Sequence, residues 1–237
     1  MASLETSCHH HISSDCMVKA VCLLSGGMDS STLAFLAKNE GYDILALHFS
    51  YGQRTADKER ECAKRIARHL NAIEFLDVDL NYLTLVGGSS LTDRSMAVKA
   101  HEEAGDGIPQ TYVPFRNANL LSIATSFAES RGAEAIYIGV QASDYSGYPD
   151  CRPEFIDAFQ KVIALGTRPD TRITLKSPFV KLNKSEILKA GLGLNVPYED
   201  TWSCYQNNDV ACGVCGSCHY RKEAFLSIGF EDPIPYR

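Results

Sequence analysis

Four cysteines, Cys204, Cys212, Cys215 and Cys218, crowd into fifteen positions near the C-terminus, with Gly213 and Gly216 between them. Thiolates at this C-x7-C-x2-C-x2-C spacing suit a tetrahedral zinc ion, and the glycines permit tight turns between ligands. Four thiolates close the coordination sphere, so the expected ion is structural, one per chain. A second set lies near the N-terminus, Leu24-Ser25-Gly26-Gly27-Met28-Asp29-Ser30-Ser31-Thr32, running on into Leu33 and Ala34. Paired glycines let backbone approach a ligand, and a helix that starts at the serines adds free N–H groups and the positive end of its dipole. That combination binds anions. It is not a Walker loop, because no Gly-Lys dipeptide occurs in the chain.

Two further sets carry weaker signals. Asp144-Tyr145-Ser146-Gly147-Tyr148-Pro149-Asp150-Cys151-Arg152 holds two carboxylates, two phenols and a guanidinium. An Asp accepts paired N–H bonds from a guanine-like edge, Tyr stacks on a flat ring, and Arg grips a carboxylate. The same residues would also make an ordinary solvated loop. Pro114-Phe115-Arg116-Asn117, with Lys181 and Lys184, offers cations. Beside a phosphate loop they would neutralise charge as it develops in a transition state; elsewhere they are surface charge.

The elements that must position these groups alternate. Apolar runs at 20–24, 44–49, 73–78 and 135–140, and a short one at 173–175, read as strands. Helical patterns fill 30–39, 56–70, 117–131 and 154–165. Asn183-Lys184-Ser185-Glu186 reads as a capping box opening a helix that ends at Gly191. Residues 80–112 are irregular, as a lid would be. Strand–helix alternation predicts an α/β fold, a parallel sheet with helices on both faces, with ligands at the strands' carboxyl ends. The polar stretches 25–30, 50–54 and 141–152 all fall at such ends.

Composition sets the outer bounds. The chain has 237 residues, 45% of them hydrophobic, and a net charge of −6, so nothing argues for a nucleic-acid partner. No apolar run is long enough to span a membrane, and no secretory signal is evident. Nine cysteines, four of them clustered, suit a reduced cytoplasmic protein better than a disulfide framework. The expected organisation is an extension at 1–17 containing His9-His10-His11, an α/β domain carrying the anion loop at 18–195 and a zinc-binding segment at 196–237 packed on it.

Ser-Gly-Gly-Met-Asp-Ser from Ser25 resembles the pyrophosphate loop (PP-loop) of the ATP pyrophosphatases. Together with Tyr-Gly-Gln-Arg from Tyr51, Val-Pro-Phe-Arg-Asn from Val113, Asp-Tyr-Ser-Gly-Tyr-Pro-Asp-Cys-Arg from Asp144 and the cysteine cluster, it resembles one family, the 7-cyano-7-deazaguanine synthases of queuosine biosynthesis. The resemblance implies a PP-loop (HUP-type, adenine nucleotide alpha hydrolase-like) fold in which Leu24 to Ala34 hold ATP. It implies catalytic roles for Asp29, Arg116 and Lys184, and substrate contacts from Tyr51, Gln53, Arg54, Asp144, Tyr145, Tyr148, Asp150 and Arg152. The implied reaction is an ATP-dependent carbon–nitrogen ligation of 7-carboxy-7-deazaguanine with ammonia to the nitrile, with Mg²⁺ accompanying ATP, in a homodimer. Three departures stand out: Phe115 where the family usually has Gly, Thr55 where it has His, and a first cysteine gap one residue short. Phe115 is expected to narrow the pocket near Arg116. Two alternatives compete: a PP-loop tRNA-thiolating ligase, which would need a reactive cysteine such as Cys62 or Cys151, and a non-catalytic zinc module.

Overall fold

A computed structural model describes residues 18–101, 107–141 and 147–237. Residues 1–17, and with them the expected extension, lie outside the described residues, as do Asp144 and Tyr145. Five strands, β1 (Lys19–Leu23), β2 (Asp43–Ser50), β3 (Glu74–Asp79), β4 (Ala135–Tyr137) and β5 (Thr174–Lys176), form one sheet in the order β3-β2-β1-β4-β5. Every pairing is parallel. The order reverses between β1 and β4, which places a ligand crevice beyond the carboxyl end of β1.

Alternation along the strands decides which helices cover which face. Val21, Leu23, Leu45, Leu47 and Phe49 pack under α4 (Arg116–Arg131) and α5 (Pro153–Gly166). Ala20, Cys22, Leu24, Ile44 and Ala46 pack on the other face under α1 (Met28–Asn39), α2 (Ala56–His69) and α6 (Lys184–Gly193). A four-residue helix, α3 (Leu83–Val86), interrupts the irregular segment after β3. The C-terminal segment carries α7 (Gly216–Ser227) and docks on α1 and α6 through Met28, Leu188, Tyr198 and Phe225.

Two expected boundaries move. Helix α6 has the predicted capping box but runs through Gly191 to Gly193. Gly191 is not a terminator: a Cβ there would strike the Tyr198 hydroxyl and lie 2.8 Å from Thr32 Oγ1, so it permits α6 to lie against α1. Strand β4 runs only to Tyr137: Ile138 N–H still donates to the Lys176 carbonyl at 3.0 Å, and Ile138–Val140 line the crevice.

Phe115 does not narrow the pocket. It is 62% exposed, packs edge-on to Phe155, and is the N-cap of α4 with φ 56°, in the left-handed region. A side chain there is strained, which explains why glycine suits the position. Phe115→Gly is expected to raise stability by about 0.5–1 kcal/mol, the relieved strain outweighing a small exposed contact and the looser unfolded chain. Thermal melting checks this; a lower melting temperature would contradict it.

Candidate active site

The glycine loop joins β1 to α1 and is closed on itself. Ser25 and Ser30 share a 2.9 Å hydroxyl–hydroxyl bond, Gly27 N–H donates to Ser25 Oγ at 3.3 Å, and Ser30 Oγ donates to the Gly27 carbonyl at 3.2 Å. Gly26 has φ +83°. His48, fully buried on β2, bonds the Leu24 carbonyl through Nδ1 at 2.9 Å. Burial keeps its imidazole pKa low, so the neutral ring serves as the donor. No side chain caps α1. Its first N–H groups therefore face the crevice with the dipole behind them, a preorganised anion site.

The crevice has two lobes. One, of ≈ 320 Å³, is lined by the loop residues Leu24, Ser25, Gly27, Met28, Asp29 and Ser30 and by apolar Leu47, Phe49, Leu120 and Ile138. The other, of ≈ 410 Å³, lies under Val98–His101 and Ile108–Thr111 of the irregular segment. Tyr148, Lys184, Tyr205 and Ser217 line both. Each lobe has the size of a small-ligand pocket.

Charge concentrates where the lobes meet the loop. Lys184, at the start of α6, bonds Asp29 Oδ2, while Asp29 Oδ1 is buried without a hydrogen-bond partner. Arg116, in the first turn of α4, donates to the Tyr51 hydroxyl at 3.0 Å and stacks over that ring at 5.2 Å. Its Nε is buried and unpartnered, and among the described residues it makes no ion pair. An interior guanidinium without a carboxylate is poised for a ligand anion. Burial pushes the phenols of Tyr51 and Tyr148 up, keeping them neutral donors; Tyr148 also bonds Thr111 Oγ1 at 2.7 Å.

Several expected contacts have other partners. Arg54 does not line either lobe: it donates to the carbonyls of Ser90, Asp93 and Met96 and so straps the irregular segment to the end of β2. Asp150 is buried and accepts the Asn117 N–H at 2.8 Å, serving the N-terminus of α4. Arg152 is exposed at the N-cap of α5. Ser31, Thr32, Leu33 and Ala34 are buried on the inner face of α1, Thr32 being bonded to Tyr198 at 2.7 Å. Gly26 lies under α2 rather than in the lobe lining. Gln53 lines the crevice but is locked by Tyr51 N–H and Phe49 O.

Three contributors escaped sequence reasoning. Glu59 of α2 reaches the crevice from a position three and four residues before Cys62 and Ala63, on the helix's buried stripe. A charge continuing an apolar stripe was the available signal. Tyr205 and Ser217 come from the cysteine segment, where ligand spacing masks any periodicity.

The four cysteine Sγ atoms lie within 4.8 Å of one another, and Cys212 and Cys218 are 3.9 Å apart. Tetrahedral Zn–S bonds of about 2.3 Å require sulfurs roughly 3.8 Å apart, so the cluster fits such an ion. Backbone N–H groups of Gln206, Asn207 and Cys212 point at Cys204 Sγ at 3.3–3.4 Å, as they do around thiolates. The cluster is bound to the loop through chain: Trp202 N–H donates to the Gly26 carbonyl at 2.9 Å.

This parallel sheet, with a glycine loop and an uncapped helix at its switch point, defines an α/β protein of the PP-loop class. A 4-thiouridine synthetase, solved in complex with RNA and bound ATP, shares the fold at TM-score 0.51 and 22% identity, covering 92% of this chain and 47% of that one. The sequence model of the family described as "Queuosine biosynthesis protein QueC" matches residues 19–229, and the chain belongs to that family. It is 83% identical over 220 residues to a protein of Methanospirillum hungatei, covering 93% of this chain and 100% of the relative. It is 63% identical over 220 residues to one of Methanoculleus marisnigri (93% and 99%) and 55% identical over 219 residues to one of Haloarcula marismortui (92% and 94%). All three are named 7-cyano-7-deazaguanine synthase.

Proposed function

We propose that this chain converts 7-carboxy-7-deazaguanine and ammonia to the 7-cyano base at the expense of two ATP, as an ATP-dependent carbon–nitrogen ligase of queuosine-precursor biosynthesis. The observation that carries this reading, beside the family, is a phosphate loop facing two adjoining lobes across an unneutralised cation. The loop N–H groups and Lys184 hold the β- and γ-phosphates, leaving the α-phosphorus open to the substrate carboxylate. One carboxylate oxygen bonds to that phosphorus and pyrophosphate leaves. Ammonia displaces AMP to give the amide. The amide oxygen then attacks the α-phosphorus of a second ATP, pyrophosphate and a proton leave, and loss of AMP and a second proton gives the nitrile. Arg116 and Lys184 neutralise the charge that builds on the phosphates in both steps.

Mg²⁺ is a hard cation that takes one or two carboxylates with phosphate oxygens, and Asp29 Oδ1 is the buried unpartnered carboxylate oxygen beside the loop. When bound with ATP there, Mg²⁺ would add to the charge neutralisation that Arg116 and Lys184 provide. Zinc at Cys204, Cys212, Cys215 and Cys218 is structural, since all four positions are protein sulfur. We place the enzyme in the cytoplasm, acting on the free base as a homodimer without a nucleic-acid partner.

A tRNA-thiolating role finds no support at the cysteines. Cys62 is buried with its thiol pushed up to about 11, and Cys151 is buried and accepts from Asn117 Nδ2 at 3.3 Å. The raised thiol of Cys62 is not a ready thiolate. The test is AMP release by the purified protein: it requires both 7-carboxy-7-deazaguanine and an ammonium salt, and tRNA does not replace the base. AMP release dependent on tRNA would overturn the assignment. Asp29→Ala should lower pyrophosphate release at least 100-fold, because the loop would lose the carboxylate that holds Mg²⁺ against the phosphates; an unchanged rate would remove Asp29 from the machinery.

A further inference from the structure

We infer that Glu59 is the specificity residue of the base site, accepting the two adjacent N–H donors on the pyrimidine edge of a guanine-type ring. The inference rests on the proposed reaction. Glu59 is the second carboxylate lining the loop lobe, beside Asp29. Asp29 is committed to Lys184, whereas Glu59 has no ion-pair partner among the described residues. Its carboxylate is held rather than free: Thr55 Oγ1 donates to Oε1 at 2.6 Å and Gln53 Nε2 to Oε2 at 3.1 Å. Gln53 is itself fixed by the Tyr51 N–H at 2.7 Å and by Phe49 O. Each oxygen thus keeps acceptor capacity in a locked direction.

The environment fits a flat base. Phe49, Tyr51 and Leu91 line the same lobe. Burial raises the Glu59 pKa, and the Thr55 and Gln53 bonds and the nearby Arg116 charge offset part of that rise in favour of the carboxylate. A cation and an acceptor in one lobe match a ring that carries a carboxylate on one side and N–H donors on the other. Chemistry also separates the two bases present in the reaction. A carboxylate accepts both N1–H and the 2-amino group of a deazaguanine. It meets only one donor on adenine, whose N1 is an acceptor and repels it. Thr55 then has a specific use, since its hydroxyl orients the reading group.

Glu59→Gln preserves shape and replaces one acceptor by a donor. Kinetics with the full chain should show the KM for 7-carboxy-7-deazaguanine rising by about 10- to 100-fold, with the KM for ATP within twofold and the melting temperature unmoved. Wild-type protein should prefer the substrate over its analogue lacking the 2-amino group by roughly 100-fold or more, and the variant should lose most of that preference. A rise in the KM for ATP alone would assign Glu59 to adenine, and unchanged constants would leave it only a link between Gln53 and Thr55. Loss of both affinities with a lower melting temperature would make it structural. Each of these overturns the inference without touching the reaction, which the wild-type rate on the carboxylated base reports separately.

Discussion

Chelating the zinc proposed at Cys204, Cys212, Cys215 and Cys218, or replacing Cys215 with serine, is expected to abolish substrate-dependent AMP release while leaving most helix content intact. Structural zinc contributes about 10–16 kcal/mol in small domains, comparable to the 5–15 kcal/mol total stability of a whole one. The segment that zinc would clip has a small core of its own, chiefly Trp202, Ala211, Ile234 and the four cysteines. That segment supplies the Trp202 N–H that holds Gly26, and the crevice residues Ser203, Tyr205 and Ser217. Arg221, 1% exposed, ties the same segment together by bonds to Asp232, Thr201 and the Tyr198 carbonyl. The parallel sheet has separate cores and should persist. AMP release, zinc content and far-UV circular dichroism, read on one sample, check this. Full turnover at zero zinc would show that the cluster does not support the loop.

Gly26→Ala is expected to cost about 100-fold in activity. A Cβ there would sit 2.5 Å from the Glu59 carbonyl oxygen and 2.7 Å from Ala63 N, both backbone atoms of α2, and 3.0 Å from Cys62 Cβ. No side-chain rotation relieves such contacts, and φ +83° adds strain of about 1–2 kcal/mol. The loop or α2 must move, and a displacement near 1 Å at a reacting centre costs about 100-fold in rate. Gly41→Ala is the control: φ is +92° but nothing lies within 4 Å, so it should lose stability and keep its rate. Steady-state AMP release and thermal melting of the two variants separate strain from clash. Equal rates for both would contradict the close approach of α2 to the loop.

Much of this was legible in the sequence because it is local. The glycine pair, the cysteine spacing and the Asn183–Glu186 capping box each act within a few residues, and the alternation of strand and helix patterns marked the parallel sheet. What was not legible depends on contacts between distant segments. Asp150 looks like a ligand residue by composition and Arg54 by family resemblance, yet their partners are backbone groups of Ser90, Asp93, Met96 and Asn117, brought near only by the fold. Gly191 looks like a helix stop until Tyr198 is placed against it. Helix α7 was missed because its first turns carry cysteine ligands and its buried face includes Arg221, which breaks the apolar pattern. The expected contacts at Asp144 and Tyr145 fall outside the described residues.

The central claim is that one loop adenylates first the carboxylate and then the amide. Substrate labelled with ¹⁸O in both carboxylate oxygens tests it directly, by mass spectrometry of the AMP released during a single preparation's turnover to nitrile. The account predicts two AMP per nitrile, each carrying one ¹⁸O in its phosphate, because each oxygen leaves bonded to the α-phosphorus. Unlabelled AMP, or ADP and labelled inorganic phosphate in its place, would contradict it.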